Sequence, residues 1–461
     1  MTGFSLIIAF VIAVVGMVVA ISKFKIHPFI SIMSAALLLG LFAGIPLVNV
    51  TIDGKTTQGI ANVIGAGFSG AFTSIGIVII LGALIGTILE ATGAAFKLAD
   101  MVIKIVSAKR PVLGIQLMGW VVSIPVFCDS GFVILDPIRK ALVRRTRVSG
   151  VAMTVALSSG LYASHVFIPP TPGPIAAANT LGAGHNLLLV MALGVLVSIP
   201  ALAGALVYAN YIGKRIKSSE DISNDGVQKS YEEIAAGYGK LPGGFISLAP
   251  IVIPILLMAL GSIASFAKWQ GTLFTASAFL GTPVIALAVG VVFAAIQLAQ
   301  AGKSAKFYEL TNETLKTVGP ILFITAAGGV LGRVISVSGM VAYITENSTL
   351  LASAGIFFPF LLSAILKSAQ GSSTVALTTT AGIVAPLLGG LGLDTPERTA
   401  LTVIAIGAGA MTVSHANDSY FWVVTNFGAL KTEQGYKTQT VVTLVEGVCA
   451  MAGVFVLSLF L

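Results

Sequence analysis

Apolar runs near the twenty residues that a bilayer core demands follow one another along this chain, and no other feature limits its fold so severely. They cover roughly 4–22, 28–50, 60–89, 112–127, 148–180, 186–213, 244–267, 269–302, 317–332, 349–366, 368–393, 399–417 and 438–461. In a chain that is 56% hydrophobic and only 10% charged, they are too many and too long for a globular core. An all-α polytopic membrane protein is expected. The first run has no basic residue ahead of it and no small-residue cleavage site behind it, so it reads as a helix rather than a signal peptide.

A net charge of +8 would point to nucleic acid in a soluble protein. Here the placement of the charges explains them better, because cytoplasmic loops of membrane proteins collect Lys and Arg. With the N-terminus outside, most of the 26 basic residues fall in inner loops: Lys23 and Lys25, the clusters within 97–110, 139–147, 214–240 and 303–316, and Lys431 with Lys437. Lys55, Lys268 and Arg398 fall outside, while Arg333 and Lys367 stay at membrane depth. The assignment requires two segments, 112–136 and about 350–393, to leave on the side they entered. Both read as re-entrant hairpins; two ordinary spans in each is the alternative.

About ten spanning helices and two re-entrant hairpins result, in two units. The first, 1–212, holds three helices, the hairpin 112–136, a broken helix at 148–180 and a helix at 186–212. A hydrophilic cytoplasmic linker, 213–243, follows. The second unit, 244–461, repeats the order with the hairpin at about 350–393, a broken helix at 398–430 and a helix at 438–461. Five passes per unit is an odd number, so the second copy lies upside down, as in the inverted repeats of many secondary transporters. Residue matches agree: Gly82, Gly86 and Gly93 are answered at the same spacing by Gly328, Gly332 and Gly339, and Ser164-His165 by Ser414-His415. Close helix packing is an equally physical role for Gly82 and Gly86.

Hydrocarbon cannot hydrogen-bond a broken backbone, so a helix interrupted at membrane depth must be buried in protein or line a wet cavity. "SHVFIPPTPGP" (164–174), with four prolines, is one such interruption, and "SHANDSYFW" (414–422) is the other. Helix ends exposed there present free N–H groups and partial positive charge, which suit an anionic group. The hairpin tips "CDSGF" and "QGSSTVALTTT" add short hydroxyl side chains and glycines. An ionised side chain at the bilayer centre costs about 2.5–3.5 kcal/mol even on lenient scales, so each needs a role or a partner. Asp129 and Asp418 lie in matching hydroxyl-rich interruptions. Glu90 and Glu446 fit a structural pair with Arg333, or a helix end, as well as a substrate role; Lys367 fits an anion partner or a side chain snorkelling to the interface.

Other chemistries fit less well. Ser414, His415 and Asp418 are the residue types of a hydrolase triad, but side chains adjacent in sequence do not present the Ser-to-His hydrogen bond that nucleophilic attack needs. No phosphate-binding or zinc-protease motif occurs, so no ATP-driven pump and no enzyme is expected. Cys128 and Cys449 lie in apolar surroundings, which offers neither a disulfide framework nor a metal site; no cofactor is expected. A passive anion channel would show a ring of one repeated polar residue.

The text "ILEATGAAFKLAD", "VFCDSGFVIL", "LYASHVFIPPTPGPIAAA", "GSSTVALTTTAGI" and "SHANDSYFW" resembles the gluconate permease family, gluconate:proton symporters of the ion transporter superfamily, in order and spacing over nearly the whole chain. The resemblance implies proton-driven uptake of gluconate or a related small hydroxy or sugar acid at the bacterial inner membrane. It also implies a homodimer in which a transport part moves as an elevator against a scaffold. On this reading the substrate carboxylate is held by Ser130, Gly131, Thr171, Gly173, Gly371, Ser372, Ser373 and Thr374. Its hydroxyls pair with Ser164, Asn417, Asp418 and Ser419. The proton rides on Asp129 or Asp418, tuned by His165 or His415. Sodium coupling is the alternative within transport, since "GSST" and "SHANDS" also offer oxygens to a hard cation.

Overall fold

A computed structural model describes residues 3–52, 55–98, 101, 110–124, 126–218, 241–266, 269–340, 343, 354–415 and 418–461. Most of the expected linker, and Asn417, lie outside the described residues.

The apolar runs become helices. In chain order they are α1 (Phe4–Ser22), α2 (Pro28–Phe42), α3 (Ile60–Thr92), α4 (Pro111–Val122), α5 (Cys128–Thr146), α6 (Gly150–Phe167), α7 (Pro172–Thr180) and α8 (Leu187–Ile212). In the second half come α9 (Gly244–Phe266), α10 (Gly271–Gly281), α11 (Pro283–Gln300), α12 (Phe307–Val337), α13 (Phe357–Gln370), α14 (Ser373–Val384), α15 (Pro396–Met411), α16 (Ser419–Phe427) and α17 (Val441–Ser458). A short antiparallel pair, Val50–Ile52 with Lys55–Thr57, joins α2 to α3. Proline opens α2, α4, α7, α11 and α15, where its missing N–H is no loss. Among the described residues, seven stretches of helix are long and apolar enough to cross a membrane.

Two boundaries differ from the sequence reading, and one charge lies deeper than expected. The run 269–302 is two helices, since Thr282-Pro283 stops α10 and restarts the chain as α11. The second limb of the hairpin expected to end at 136 continues as α5 to Thr146, and an Asp136–Arg139 ion pair lets the helix keep its charge buried past that point. Arg139, counted among loop residues, is accordingly fully buried: its Nε lies 2.7 Å from Asp136 Oδ1, and its guanidinium also donates to Phe427 O at 3.2 Å.

The helices fall into two packed groups. In one, α3 lies along α12, with α2 against α12 and α11 against α3. In the other, α4 packs on α6, α13 on α15, and α8 on α17. These contacts are close because glycine stands at each crossing. A Cβ on Gly160 of α6 would overlap the Gln116 carbonyl of α4, and one on Gly409 of α15 would overlap the Phe360 carbonyl of α13. The broken helices α6 and α15 form the centre, with every residue of α6 buried. Large apolar side chains such as Val11, Ile12, Ile199, Val207, Leu256 and Phe455 stay exposed on the outer helices, as contact with lipid requires.

Candidate functional site

The two interruptions and the two tips converge. Tip one is the bend between α4 and α5, closed by Ser123 Oγ donating to Val126 O at 2.9 Å. It places Asp129 in the first turn of α5, where the helix N-terminus favours a carboxylate. Across from it stands the start of α16: Ser419 Oγ donates to Asp129 Oδ1 at 3.2 Å. Tip two is Gly371-Ser372 between α13 and α14. Gly371 has φ of 90°, a left-handed conformation glycine adopts freely, and the Ser372 hydroxyl caps α14 by accepting from Val375 N at 3.3 Å. It meets the first interruption, since a Cβ on Gly173 of α7 would lie 2.7 Å from Leu377 Cδ1 and 3.7 Å from Thr374 Cα of α14.

Lys367 holds the centre. It is fully buried on α13, so it does not snorkel, and its Nζ lies 2.6 Å from Asp418 Oδ2. It also donates to Gly371 O at tip two and lies 5.7 Å above the Tyr162 ring, a cation–π distance. Asp418 is as fully engaged: Ser414 Oγ donates to its Oδ2 at 2.5 Å, and Tyr420 N donates to its Oδ1 at 3.0 Å as the cap of α16. One ion pair thereby ties tip two to the second interruption. Asp129 stands beside it with neutral partners, the Ser419 hydroxyl and the Cys128 thiol at 3.7 Å. One lysine and two carboxylates leave the cluster with an excess acid.

The remaining expected residues are placed as follows. His165 is buried, stacked on Tyr162 with centroids 6.5 Å apart, and its Nδ1 has no hydrogen-bond partner. His415 Nε2 lies 3.1 Å from Ser368 O, against α13. Ser164 donates to Leu161 O and Thr171 to Ile168 O, so both hydroxyls are spent within the first interruption. Ser373 and Thr374 are buried, and Ser373 is a side-chain partner of Tyr162. A Cβ on Gly131 would meet Leu161 at 2.6 Å, which makes its smallness a matter of helix packing. Ser130 lies on α5, one residue beyond Asp129.

Glu90 does not pair with Arg333. It lines a cavity of about 280 Å³ with Thr87, Glu313 and Thr317, bordered by Phe127 of tip one. Glu446 pairs with nothing among the described residues: both carboxylate oxygens are buried and without a hydrogen-bond partner. Tyr162 and Tyr420 went unnoticed in the sequence. Their rings pack 5.1 Å apart beside the ion pair, and the Tyr420 hydroxyl donates to Ser158 O at 3.0 Å. Tyr162 stands three residues before His165, on the same face of α6, a position that could have marked it. No group of three or more metal-ligating side chains occurs among the described residues.

Apolar helices wrapped around a buried ion pair at the meeting point of broken helices define a multi-pass membrane protein with an internal polar site. The sequence pattern of the GntP family of permeases matches residues 5–460, and the chain belongs to that family. It is a permease and not an enzyme. An uncharacterized permease of Haemophilus influenzae is 34% identical over 91% of this chain and 85% of its own length. The gluconate permease of Pseudomonas aeruginosa is 30% identical over 98% of this chain and 97% of its own. Among solved structures, the YdaH transporter of Alcanivorax borkumensis superposes with a TM-score of 0.63 over 94% of this chain and 97% of its own, at 17% identity, and so shares the fold.

Proposed function

We propose that this permease takes up gluconate or a related small hydroxy or sugar acid across the bacterial inner membrane in symport with protons. The observation that carries this is the buried Lys367–Asp418 pair at the junction of tip two and the second interruption. A lysine so placed offers a full positive charge to a carboxylate, but Asp418 already occupies it. Protonation of Asp418 would remove that competitor, and the substrate carboxylate would take its place on Lys367 and the capped N-terminus of α14, near Ser372, Ser373 and Thr374. Substrate binding would then require a proton, which is coupling expressed as a competition for one cation. Asp129, whose hydrogen-bond partners are neutral, is the second carboxylate able to take up a proton. Substrate hydroxyls would pair with Ser419 and Asn417.

The finer architecture belongs to the same proposal: ten spans, two re-entrant hairpins and an inverted repeat with the N-terminus outside. The like pairings α4 with α6 and α13 with α15 support it, as does the packing of each half's third long helix on the other's. A homodimer with elevator movement is the expected working form, with α2, α3, α11 and α12 in the scaffold and the tips and broken helices in the moving part.

Purified protein in liposomes should concentrate gluconate under an inward proton gradient in sodium-free buffer. Equilibration without concentration would mean a channel, and a requirement for sodium would mean a different coupling ion. Asp129→Asn and Asp418→Asn, made singly, test the assignment, with gradient-free exchange reporting that each variant is folded. If both still concentrate gluconate in a pH-dependent way, neither carboxylate is the coupling group.

A further inference from the structure

We infer that Glu446 is a further proton-holding site of this permease, apart from Asp418 and Asp129, a neutral carboxylic acid buried between α17 and the broken helices; the inference rests on the proton-symport reading above. Gln439, just ahead of α17, and Thr443 and Glu446 on it follow at intervals of about one helical turn, and all three are fully buried. The first two serve the interruptions directly: Ser158 Oγ of α6 donates to Gln439 Oε1 at 2.6 Å, and Ser414 N of the second interruption donates to Thr443 Oγ1 at 2.9 Å. Glu446 is one turn further along, beside Gly447, whose missing Cβ leaves room for the Thr412 hydroxyl of the same interruption. Both of its oxygens are without a partner, and Gln439 Nε2 and Thr440 Oγ1 in the same stretch are unpartnered too.

An ionised carboxylate buried with no counter-ion costs several kcal/mol, so the neutral acid is the form this seam accommodates. Among the described residues, no cation is placed to change that. Tyr420 of α16 and Cys449, on the same helix as Glu446, feel its charge, and neither is positive. On α6 the titratable side chains are Tyr162 and His165; on α8 they are Tyr208 and Tyr211. Glu397 and Arg398 open α15 at the end remote from Thr412, and Arg398 is bound to Gly392 O there. Lys437, in the turn before α17, has an exposed side chain. A hard metal ion would need several converging oxygens, whereas a proton needs only the carboxylate. Glu446 stands one turn beyond Thr443, which accepts from Ser414 N, and Ser414 Oγ in turn donates to Asp418, so a charge released on this helix would fall on the face that supports the second interruption.

Glu446→Gln keeps the volume and neutrality of the protonated acid but cannot release a proton. The variant should melt within a few degrees of wild type and exchange labelled for unlabelled gluconate within about twofold of it. Its accumulation under an inward proton gradient should fall at least tenfold. Purified wild type at neutral pH should also show the infrared carbonyl band of a neutral carboxylic acid, missing from Glu446→Gln. Gradient-driven accumulation at the wild-type level, loss of exchange, a large loss of melting temperature, or absence of the infrared difference would each overturn the inference. A wild type that does not respond to a proton gradient, yet shows the band, would instead overturn the proton-symport reading and with it the role given to this acid.

Discussion

Lys367 survives in an apolar helix because three acceptors surround its ammonium: the Asp418 carboxylate, the Gly371 carbonyl and the Tyr162 ring. Removing one member of a buried pair strands the other, at about 3–5 kcal/mol. Lys367→Met should therefore lower the melting temperature strongly and abolish uptake. Adding Asp418→Asn should restore much of the melting temperature, since no uncompensated charge remains, yet leave uptake lost; equal melting of the single and double variants would deny that the pair is coupled. The sequence exposed each of these residues as a charge in an apolar run. It could not join them, because they are far apart in the chain and no local spacing rule reaches across that gap. Arg139 shows the converse error: counting it with loop cations ignored Asp136 one turn before it, the local sign that its charge has a partner inside the protein.

At the scale of elements, the tips and interruptions were legible because glycine, proline and hydroxyl residues are so conspicuous in apolar text. What they pack against was not. Gly371 shows why the tip needs its residue: at a φ of 90° a side chain would strain the backbone, and Gly371→Ala should cost about 1–2 kcal/mol. Thermal melting checks this, with Gly65→Ala as the control: nothing lies within 4 Å of the added methyl on α3, and the change should be neutral or slightly stabilising. Gly409 is more demanding. Gly409→Val would force α15 away from the Phe360 carbonyl of α13, separating the helix that leads into the second interruption, where Asp418 lies, from the helix that carries Lys367. The expected outcome is aggregated protein on size-exclusion chromatography, or folded protein without gluconate binding; normal uptake would mean that this crossing does not set the site. The division of 269–302 at Thr282-Pro283 was also readable in principle, since proline restarts a helix as readily as it ends one.

For the whole molecule, hydropathy was enough to specify a polytopic helical protein, because backbone polar groups in lipid allow little else. Orientation depends on the charge rule, which predicts Arg147 and Lys303 on one face of the membrane. Single cysteines at these positions should react alike with a membrane-impermeant reagent added from one side, and labelling from opposite sides would dismantle the inverted pairing of the halves. The function rests on a simpler exchange, in which a proton on a carboxylate frees Lys367 for the substrate. Its most direct test is to load liposomes bearing the purified protein with a pH-sensitive dye and add gluconate outside in sodium-free buffer, with no pH gradient imposed. The account predicts that the interior acidifies as gluconate enters, and that Lys367→Met with Asp418→Asn abolishes both. Entry of gluconate with no change in internal pH would contradict it.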